Sequence, residues 1–324
     1  METESKQIMQ WVKQGFIKKS DIKPALQVSG ILPDTHRWIL FIEHLFLWLG
    51  MLALSFSVVF FIAYNWDAMG RFAKFAIIEG LIMACLIFNV YKEKDRALAN
   101  MSIVAASILL GVLLAFYGQT YQTGADKWEL FAWWALLILP WVIITRLAAL
   151  WLIFVILINI SLWLYHEQMG RLFEHEFFAR NSQLWLLAIP NMLIWIGWEI
   201  LARYFSCLNA RWAIRFPAVT CGTALTILLV EQMFSHTGVE LQSAVLYALI
   251  IVVANYVYRI KIYDLFMLAS LCLSVIIVVT GVFARIFSNS GDTAGLLFIL
   301  SLLVVGMSAL AINWLRKIHR QHES

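Results

Sequence analysis

The sequence predicts an all-α protein, a polytopic transmembrane helical bundle of about ten helices with a short helical pair at its N-terminus. Three observations predict this fold class: the composition, the spacing of the apolar runs and the distribution of basic residues. Of the 324 residues, 62% are hydrophobic and only 14% are charged, whereas a soluble domain averages about 25% charged residues. A soluble fold of this composition could not bury its excess of apolar side chains.

Ten apolar runs are candidates for membrane spans. The hydrocarbon core of a bilayer is about 30 Å thick and needs about 20 helical residues. Six runs are long enough by themselves: Leu45–Tyr64, Met101–Tyr121, Leu147–Tyr165, Leu241–Tyr258, Leu265–Ala284 and Ala294–Leu315. Four shorter runs need flanking residues: Phe72–Val90, Leu130–Thr145, Leu184–Leu201 and Phe216–Phe234.

Arg146 alone separates the fourth run from the fifth. A tight helical hairpin at Arg146 is one interpretation. The alternative is a single long, kinked or re-entrant element, which Pro140 would favour.

Lys and Arg fall mainly on one side of these spans. The connections on the side of both termini hold all but six of the 24 basic residues. The six others are Arg71, Lys74, Lys127, Arg171, Arg180 and Arg285. Because cytoplasmic loops carry the excess of Lys and Arg, both termini are expected in the cytoplasm. A wrong number of helices would move every later loop to the other side, so the repeated bias also supports the count of ten.

The N-terminal segment 1–37 is polar and has helical signals. Apolar residues recur at helical spacing up to Gly15, and Ser20 and Asp21 precede a second short run with Pro24 in its first turn. About thirty residues cannot bury a core of their own. The segment is therefore expected to be a cytoplasmic helical pair that lies on the membrane face.

Three strings in the first half resemble a known family. They are Ala63–Asp67 at the end of the first span, Gly118–Asp126 at the end of the third, and Leu130–Leu137 at the start of the fourth. With the helical N-terminus, residues from about 6 to 165 resemble the bacterial predicted membrane proteins classed as domain of unknown function 2157. The resemblance implies a multi-pass protein of the bacterial inner (plasma) membrane. It implies no established activity, so no catalytic residue can be carried over.

The chain is accordingly expected to have three parts. Residues 1–37 form the cytoplasmic segment. Residues 38–165 form a first transmembrane module of five helices, which contains the family-like region, and residues 166–324 form a second module of five helices.

Polar and aromatic residues at the ends of the first and third spans form what we call the outer rim. Its members, with one acid beneath them, are the candidate ligand-binding residues: Asn65, Asp67, Tyr117, Gln119, Tyr121, Gln122, Asp126 and, beneath them, Glu79. Aromatic faces with a few amide groups suit a small molecule or a lipid head group. The alternative is structural. Asp126 with Glu129 resembles a capping box, Asp67 can cap the second span and reach Arg71, and the aromatic residues resemble an interfacial belt.

Glu79 lies about 12 Å from Arg71 along its helix, too deep to reach water easily. A charged acid within the bilayer costs at least about 2.5 kcal/mol, so Glu79 is expected to face the bundle and to be paired or protonated. Two interpretations of Glu79 remain open. It belongs to a proton- or cation-linked site, or it is a neutral side chain that hydrogen-bonds to another helix. Asn159 and Asn191 also lie within spans and are expected to hydrogen-bond between helices.

The sequence lacks a recognisable catalytic or cofactor motif, so an enzyme is disfavoured and no cofactor is expected. Glu174-His175-Glu176 is a poor metal site because adjacent residues rarely share a helix face. The basic loops are explained by membrane orientation and do not predict binding to nucleic acid.

The leading functional hypothesis is binding or transport of a small molecule or lipid head group through an outward-facing pocket. The rival is a structural or sensory subunit that acts through a membrane or cytoplasmic protein partner.

Overall fold

The computed structural model describes residues 10–12, 14–29, 35–64, 69–92, 95–122, 124, 126–169, 181–205, 208–235, 238–287 and 293–323. Every regular element in these residues is helical. The predicted all-α class is therefore confirmed for the described part of the chain.

Within the described residues, eleven α-helices follow a short 3₁₀ turn at Lys19–Asp21. They are α1 (Ile22–Val28), α2 (Thr35–Tyr64), α3 (Arg71–Tyr91), α4 (Arg96–Tyr121), α5 (Lys127–Thr145), α6 (Ala148–Met169), α7 (Ser182–Leu201), α8 (Arg211–Phe234), α9 (Leu241–Tyr256), α10 (Leu265–Phe287) and α11 (Thr293–Glu323). Helices α2 to α11 are each long and apolar enough to cross a membrane. Each matches one of the ten predicted runs. Helix α6 begins one residue after its run, which starts at Leu147, and α9 covers its run together with the π-helical turn Val257–Lys261 that continues it.

The connection between α5 and α6 is a tight hairpin. Helix α5 ends at Thr145, Arg146 adopts a left-handed conformation with φ 54°, and α6 begins at Ala148. The two helices pack against each other. The hairpin interpretation is thus confirmed. The alternative of one long, kinked or re-entrant element is wrong, because the helix that contains Pro140 ends at Thr145 and a separate helix begins at Ala148 and packs against it.

The chain forms two compact units, Met1–Thr123 and Gly124–Ser324. In the first unit α4 packs against α3 and α2. Its buried face is rich in small residues, such as Ser102, Ala106, Ser107 and Gly111, which let helix backbones approach closely. The module boundary after residue 165 stays a prediction.

In the second unit a pair of amide side chains joins α6 to α7. Asn159 Nδ2 donates to Asn191 Oδ1 at 3.2 Å, and Asn191 Nδ2 donates in return to Asn159 Oδ1. Asn191 is fully buried. The predicted interhelical hydrogen bond is confirmed.

An ion network joins the ends of α7, α8 and α10. Arg211 donates to both oxygens of Glu199 at 3.2 and 3.1 Å, and Arg215 donates to both oxygens of Asp264 at 3.2 and 2.9 Å. Tyr258 also donates to Glu199, at 2.6 Å. Glu199 and Arg203 are four residues apart, a spacing that predicts an ion pair at the helix end, but this prediction is wrong. Helix α7 ends at Leu201, before Arg203. The cation that pairs with Glu199 is Arg211 of α8.

Asp264 has a second role at the start of α10. Its Oδ1 accepts hydrogen bonds from the backbone N–H groups of Phe266 and Met267, at 3.1 and 3.3 Å. The residue is only 4% exposed. It therefore satisfies orphan donors of the helix while it balances the charge of Arg215.

Replacing Asp264 with Ala should lower the free energy of unfolding by about 3 kcal/mol, because it leaves Arg215 unpaired and the start of α10 uncapped. The measurement is equilibrium unfolding in mixed micelles. The exposed acid Glu167 on α6 provides the control, since Glu167→Ala should change stability by about 0.5 kcal/mol or less. If both variants lowered the free energy of unfolding equally, the ion network would stabilise the protein no more than an exposed acid does.

The bias of Lys and Arg predicts the side of each connection. Reporter fusions after residues 95, 208 and 260 should report the cytoplasm, and fusions after 125, 175, 238 and 290 should report the opposite side. A fusion on the wrong side, with its neighbours unchanged, would contradict the predicted orientation.

Candidate functional site

The second unit contains an apolar groove of about 470 Å³, which we call the α6–α7 groove. Its walls are α6 and α7, and its ends are the α5–α6 hairpin and the segment after α7. The lining residues are Ile143, Arg146, Trp151, Phe154, Val155, Ile158, Ile194, Gly197, Trp198, Leu201, Phe205 and Leu208.

Helical spacing explains the two walls. On α6 the lining residues from Trp151 to Ile158 recur at i, i+3, i+4 and i+7, and on α7 those from Ile194 to Leu201 do the same. Such residues share one helix face. Gly197 lies in the middle of the α7 wall, and a Cβ atom there would meet no other atom within 4 Å. The absence of a side chain at this position therefore leaves space in the groove.

Two tryptophans form the inner part of the groove. The rings of Trp151 and Trp198 lie 6.3 Å apart between centroids, at an interplanar angle of 60°. Trp198 Nε1 donates to the carbonyl oxygen of Leu208 at 3.1 Å. Its one polar group is thus satisfied by the protein, so Trp198 offers the groove an apolar ring.

Arg146 is the charged residue of the lining. Its side chain is exposed, and it forms no ion pair within the described residues. A non-glycine residue with positive φ is uncommon, and here it sits in the two-residue hairpin turn at the end of the groove. The site combines an apolar body with one cation, which suits an amphiphile that has an acyl chain and an anionic head.

The first unit brings part of the predicted outer rim together. Tyr117 and Tyr121 are 50% and 46% exposed, and their ring centroids lie 4.9 Å apart. Phe75 of α3 packs beside them, with its centroid 6.0 Å from that of Tyr121. Gln119 and Gln122 are exposed at the same helix end. Asn65 and Asp67 lie outside the described residues.

Asp126 belongs to the second unit. It lies at the N-cap position of α5, but its side chain makes no capping hydrogen bond. Instead it accepts hydrogen bonds from Trp128 Nε1, at 3.3 Å, and from Gln168 Nε2 of α6. The capping-box interpretation is therefore wrong for this side chain, because partners beyond the local helix end occupy its oxygens.

Glu79 is exposed on α3. It makes no hydrogen bond or ion pair with any residue that the structure describes. The expectation that it faces the bundle is wrong for this part of the chain. Its role in ligand binding stays a prediction.

Sequence reasoning missed the α6–α7 groove. The spacing of Trp151, Phe154, Val155 and Ile158 was available as a signal, but both helices are apolar on every side. Arg146 was interpreted only as a break between spans. Among the described residues no group of three potential metal ligands comes together, and Glu174-His175-Glu176 lies outside them.

Comparison with known proteins gives a match to a family. No curated protein and no solved structure matches the chain. The family is described as predicted membrane protein, domain of unknown function 2157, and the resemblance predicted from the sequence is confirmed. The match covers residues 9–151, so this part of the chain is similar to that family.

Proposed function

We propose that this membrane protein binds an anionic amphiphile, such as a lipid with an acidic head group, in the α6–α7 groove. The observation that carries the proposal is the placement of Arg146 at the end of an otherwise apolar groove of about 470 Å³. The acyl chain would lie between Trp151 and the open space at Gly197. The head group would meet the Arg146 guanidinium.

The predicted orientation supports this ligand class. Arg146 belongs to the basic set of connections, so the head group would lie at the cytoplasmic face of the inner membrane. The cytoplasmic surface of a membrane has a negative potential from its anionic lipids, and one basic side chain near that surface contributes about 1 kcal/mol to binding them. Three residues that line the groove are 56%, 45% and 47% exposed, namely Ile143, Leu201 and Phe205. A ligand could therefore enter the groove sideways from the bilayer.

A phosphatidylglycerol with a diazirine in its acyl chain tests the proposal in nanodiscs. We expect the crosslink to map to peptides that contain residues 143–158 and 194–208. Gly197→Trp should remove most of this labelling, because the indole fills the groove where an added atom meets open space. Labelling spread evenly over all spans, or unchanged by Gly197→Trp, would overturn the proposal.

The charge at the groove gives a separate prediction. Arg146→Gln should reduce the preference for phosphatidylglycerol over phosphatidylcholine about fivefold, equivalent to about 1 kcal/mol. The matched control is Arg203→Gln, since Arg203 is an exposed cation just beyond α7 that does not line the groove. Equal effects from the two variants would indicate a general attraction between the basic face and acidic lipid.

A second candidate is the outward-facing site of the first unit. The observation in its favour is the aromatic cluster in which Phe75 packs beside the half-exposed Tyr117 and Tyr121. Beside it the Thr120 hydroxyl is buried and has no hydrogen-bond partner in the described residues. Lys74 supplies a buried cation whose Nζ lies 5.9 Å from the centroid of Phe116. Sugars and phosphate head groups carry the hydroxyl and anionic groups that such a site would bind.

Fluorine-19 spectra of 3-fluorotyrosine at Tyr117 and Tyr121 test this second site. Glycerol phosphate or glucose, added separately, should shift both resonances in a saturable way. Tyr204 is the control, because it is 77% exposed at the end of α7 and lies outside the cluster. Equal shifts at all three tyrosines would rule the outer site out.

A further inference from the structure

The second unit contains another cavity, of about 280 Å³, which we call the α8–α10 cavity. It lies where α8, α9 and α10 come together. On α10 the lining residues Met267, Ser270, Leu271 and Ser274 recur at i, i+3, i+4 and i+7, so they share one helix face. On α8 the lining includes Gly222, where an added Cβ atom would meet no other atom within 4 Å.

Most side chains around this cavity are apolar, such as Leu225 and Ile250. A space without atoms deprives its lining of van der Waals contacts, and protein interiors hold few voids larger than a water molecule. Water does not fill an apolar space, because it finds too few hydrogen bonds there. Two lining residues, Ile227 and Leu273, are 43% and 58% exposed. The expected occupant is therefore an apolar molecule that enters from the bilayer.

Three hydroxyl groups, one from each of the three helices, form a hydrogen-bonded chain in the lining. Thr226 Oγ1 donates to the carbonyl oxygen of Gly222 at 2.6 Å and lies 2.7 Å from Ser274 Oγ. Ser274 Oγ in turn lies 2.8 Å from the hydroxyl oxygen of Tyr247. The chain therefore runs from Tyr247 through Ser274 to Thr226.

The protons of this chain have one direction. Each hydroxyl group has a single proton. Because Thr226 donates its proton to the Gly222 carbonyl group, Ser274 must donate to Thr226, and Tyr247 must donate to Ser274. The Tyr247 oxygen can then accept a hydrogen bond from an occupant of the cavity but has no proton left to donate.

The other polar residues of the lining agree with this preference for a donor. Ser270 donates to a carbonyl oxygen of its own helix at 2.8 Å, and Trp195 Nε1 donates to Tyr258 at 2.6 Å. Glu231 is a further acceptor. Thr223 is exposed, and a threonine in a helix can donate its proton to the carbonyl oxygen one turn back.

We propose that the α8–α10 cavity binds an apolar alcohol, whose hydroxyl group donates to the Tyr247 oxygen and whose hydrocarbon part fills the space beside Gly222. This site is separate from the α6–α7 groove and has a different ligand class, since its lining offers no cation to an anionic head group.

Photolabelling in nanodiscs tests the position of the site. Octanol with a diazirine in its chain should label peptides that contain residues 222–231, 247–251 and 267–277. Gly222→Leu should remove most of this labelling, because its side chain fills the open space. Gly197→Trp is the control, since it fills the α6–α7 groove and should leave this labelling unchanged. Labelling spread evenly over all spans, or equal losses from both variants, would overturn the proposal.

Competition by two isomers tests the hydrogen bond. 1-Octanol and heptyl methyl ether have the same formula, but only the alcohol can donate. With concentrations measured in the bilayer, octanol should displace the label about fivefold more effectively than the ether, as expected for one neutral hydrogen bond. Equal competition by octanol, the ether and octane would show that the cavity holds any hydrocarbon chain, and the alcohol site would be excluded.

Two substitutions test the direction of the hydroxyl chain. Tyr247→Phe should weaken competition by octanol about fivefold and leave that by the ether unchanged, because the acceptor is lost. Ser274→Ala should instead strengthen competition by the ether, because Tyr247 recovers a proton that it can donate to the ether oxygen. Tyr256→Phe is the control and should change neither, since Tyr256 is 52% exposed on the same helix as Tyr247 and does not line the cavity.

These variants keep the open space at Gly222, so they decide the question even if Gly222→Leu fails to fold. The proposal is wrong if Tyr247→Phe still prefers octanol about fivefold, or if Ser274→Ala leaves competition by the ether unchanged.

Discussion

The architecture depends on one constraint: inside hydrocarbon a backbone amide has no water to bond with. Each unsatisfied group there costs several kcal/mol, so a chain that crosses a bilayer must satisfy its amides within each segment, as a helix does. The same constraint explains the abrupt connection at Arg146. Helix α5 and helix α6 both remain regular to their last turns, and the reversal is confined to two residues, one of which takes a left-handed conformation. The turn of this hairpin forms one end of the α6–α7 groove.

The helices were predictable because this constraint acts on each segment alone. Every one of the ten apolar runs lies in a helix, and the structure extends most of the runs at one or both ends. The first span shows why the ends are harder to place. Helix α2 starts at Thr35, well before the apolar run at Leu45, because a helix continues through residues such as Glu43 and His44 once its backbone bonds are formed.

Side-chain partners were much less predictable, because they depend on which helices pack together. Glu199 reaches Arg211 on the next helix, and Asp126 reaches Gln168 across the α5–α6 hairpin, although closer residues along the chain offered local solutions. Asn159 and Asn191 were predicted correctly because an amide within a span has few other options than an amide or carbonyl on another helix.

The sequence predicts how deep Glu79 lies in the membrane span, but it does not predict the direction of its side chain. The faces of α3 differ only moderately in hydropathy, so the sequence does not show which face packs within the first unit. The α6–α7 groove was missed for a related reason, since α6 and α7 carry apolar residues all round.

Helix α7 links the α6–α7 groove to the ion network of the second unit. One face, with Ile194 and Trp198, forms the wall of the groove. The neighbouring face carries Trp195 and Glu199, which join the ion network through Tyr258 at 2.6 Å each. The network fixes α7 against α8 and α10 by charged hydrogen bonds with defined geometry, which apolar packing alone does not provide. Together with the Asn159–Asn191 hydrogen bonds between α6 and α7, this network holds the wall in place, so the space beside Gly197 persists and is available to a ligand.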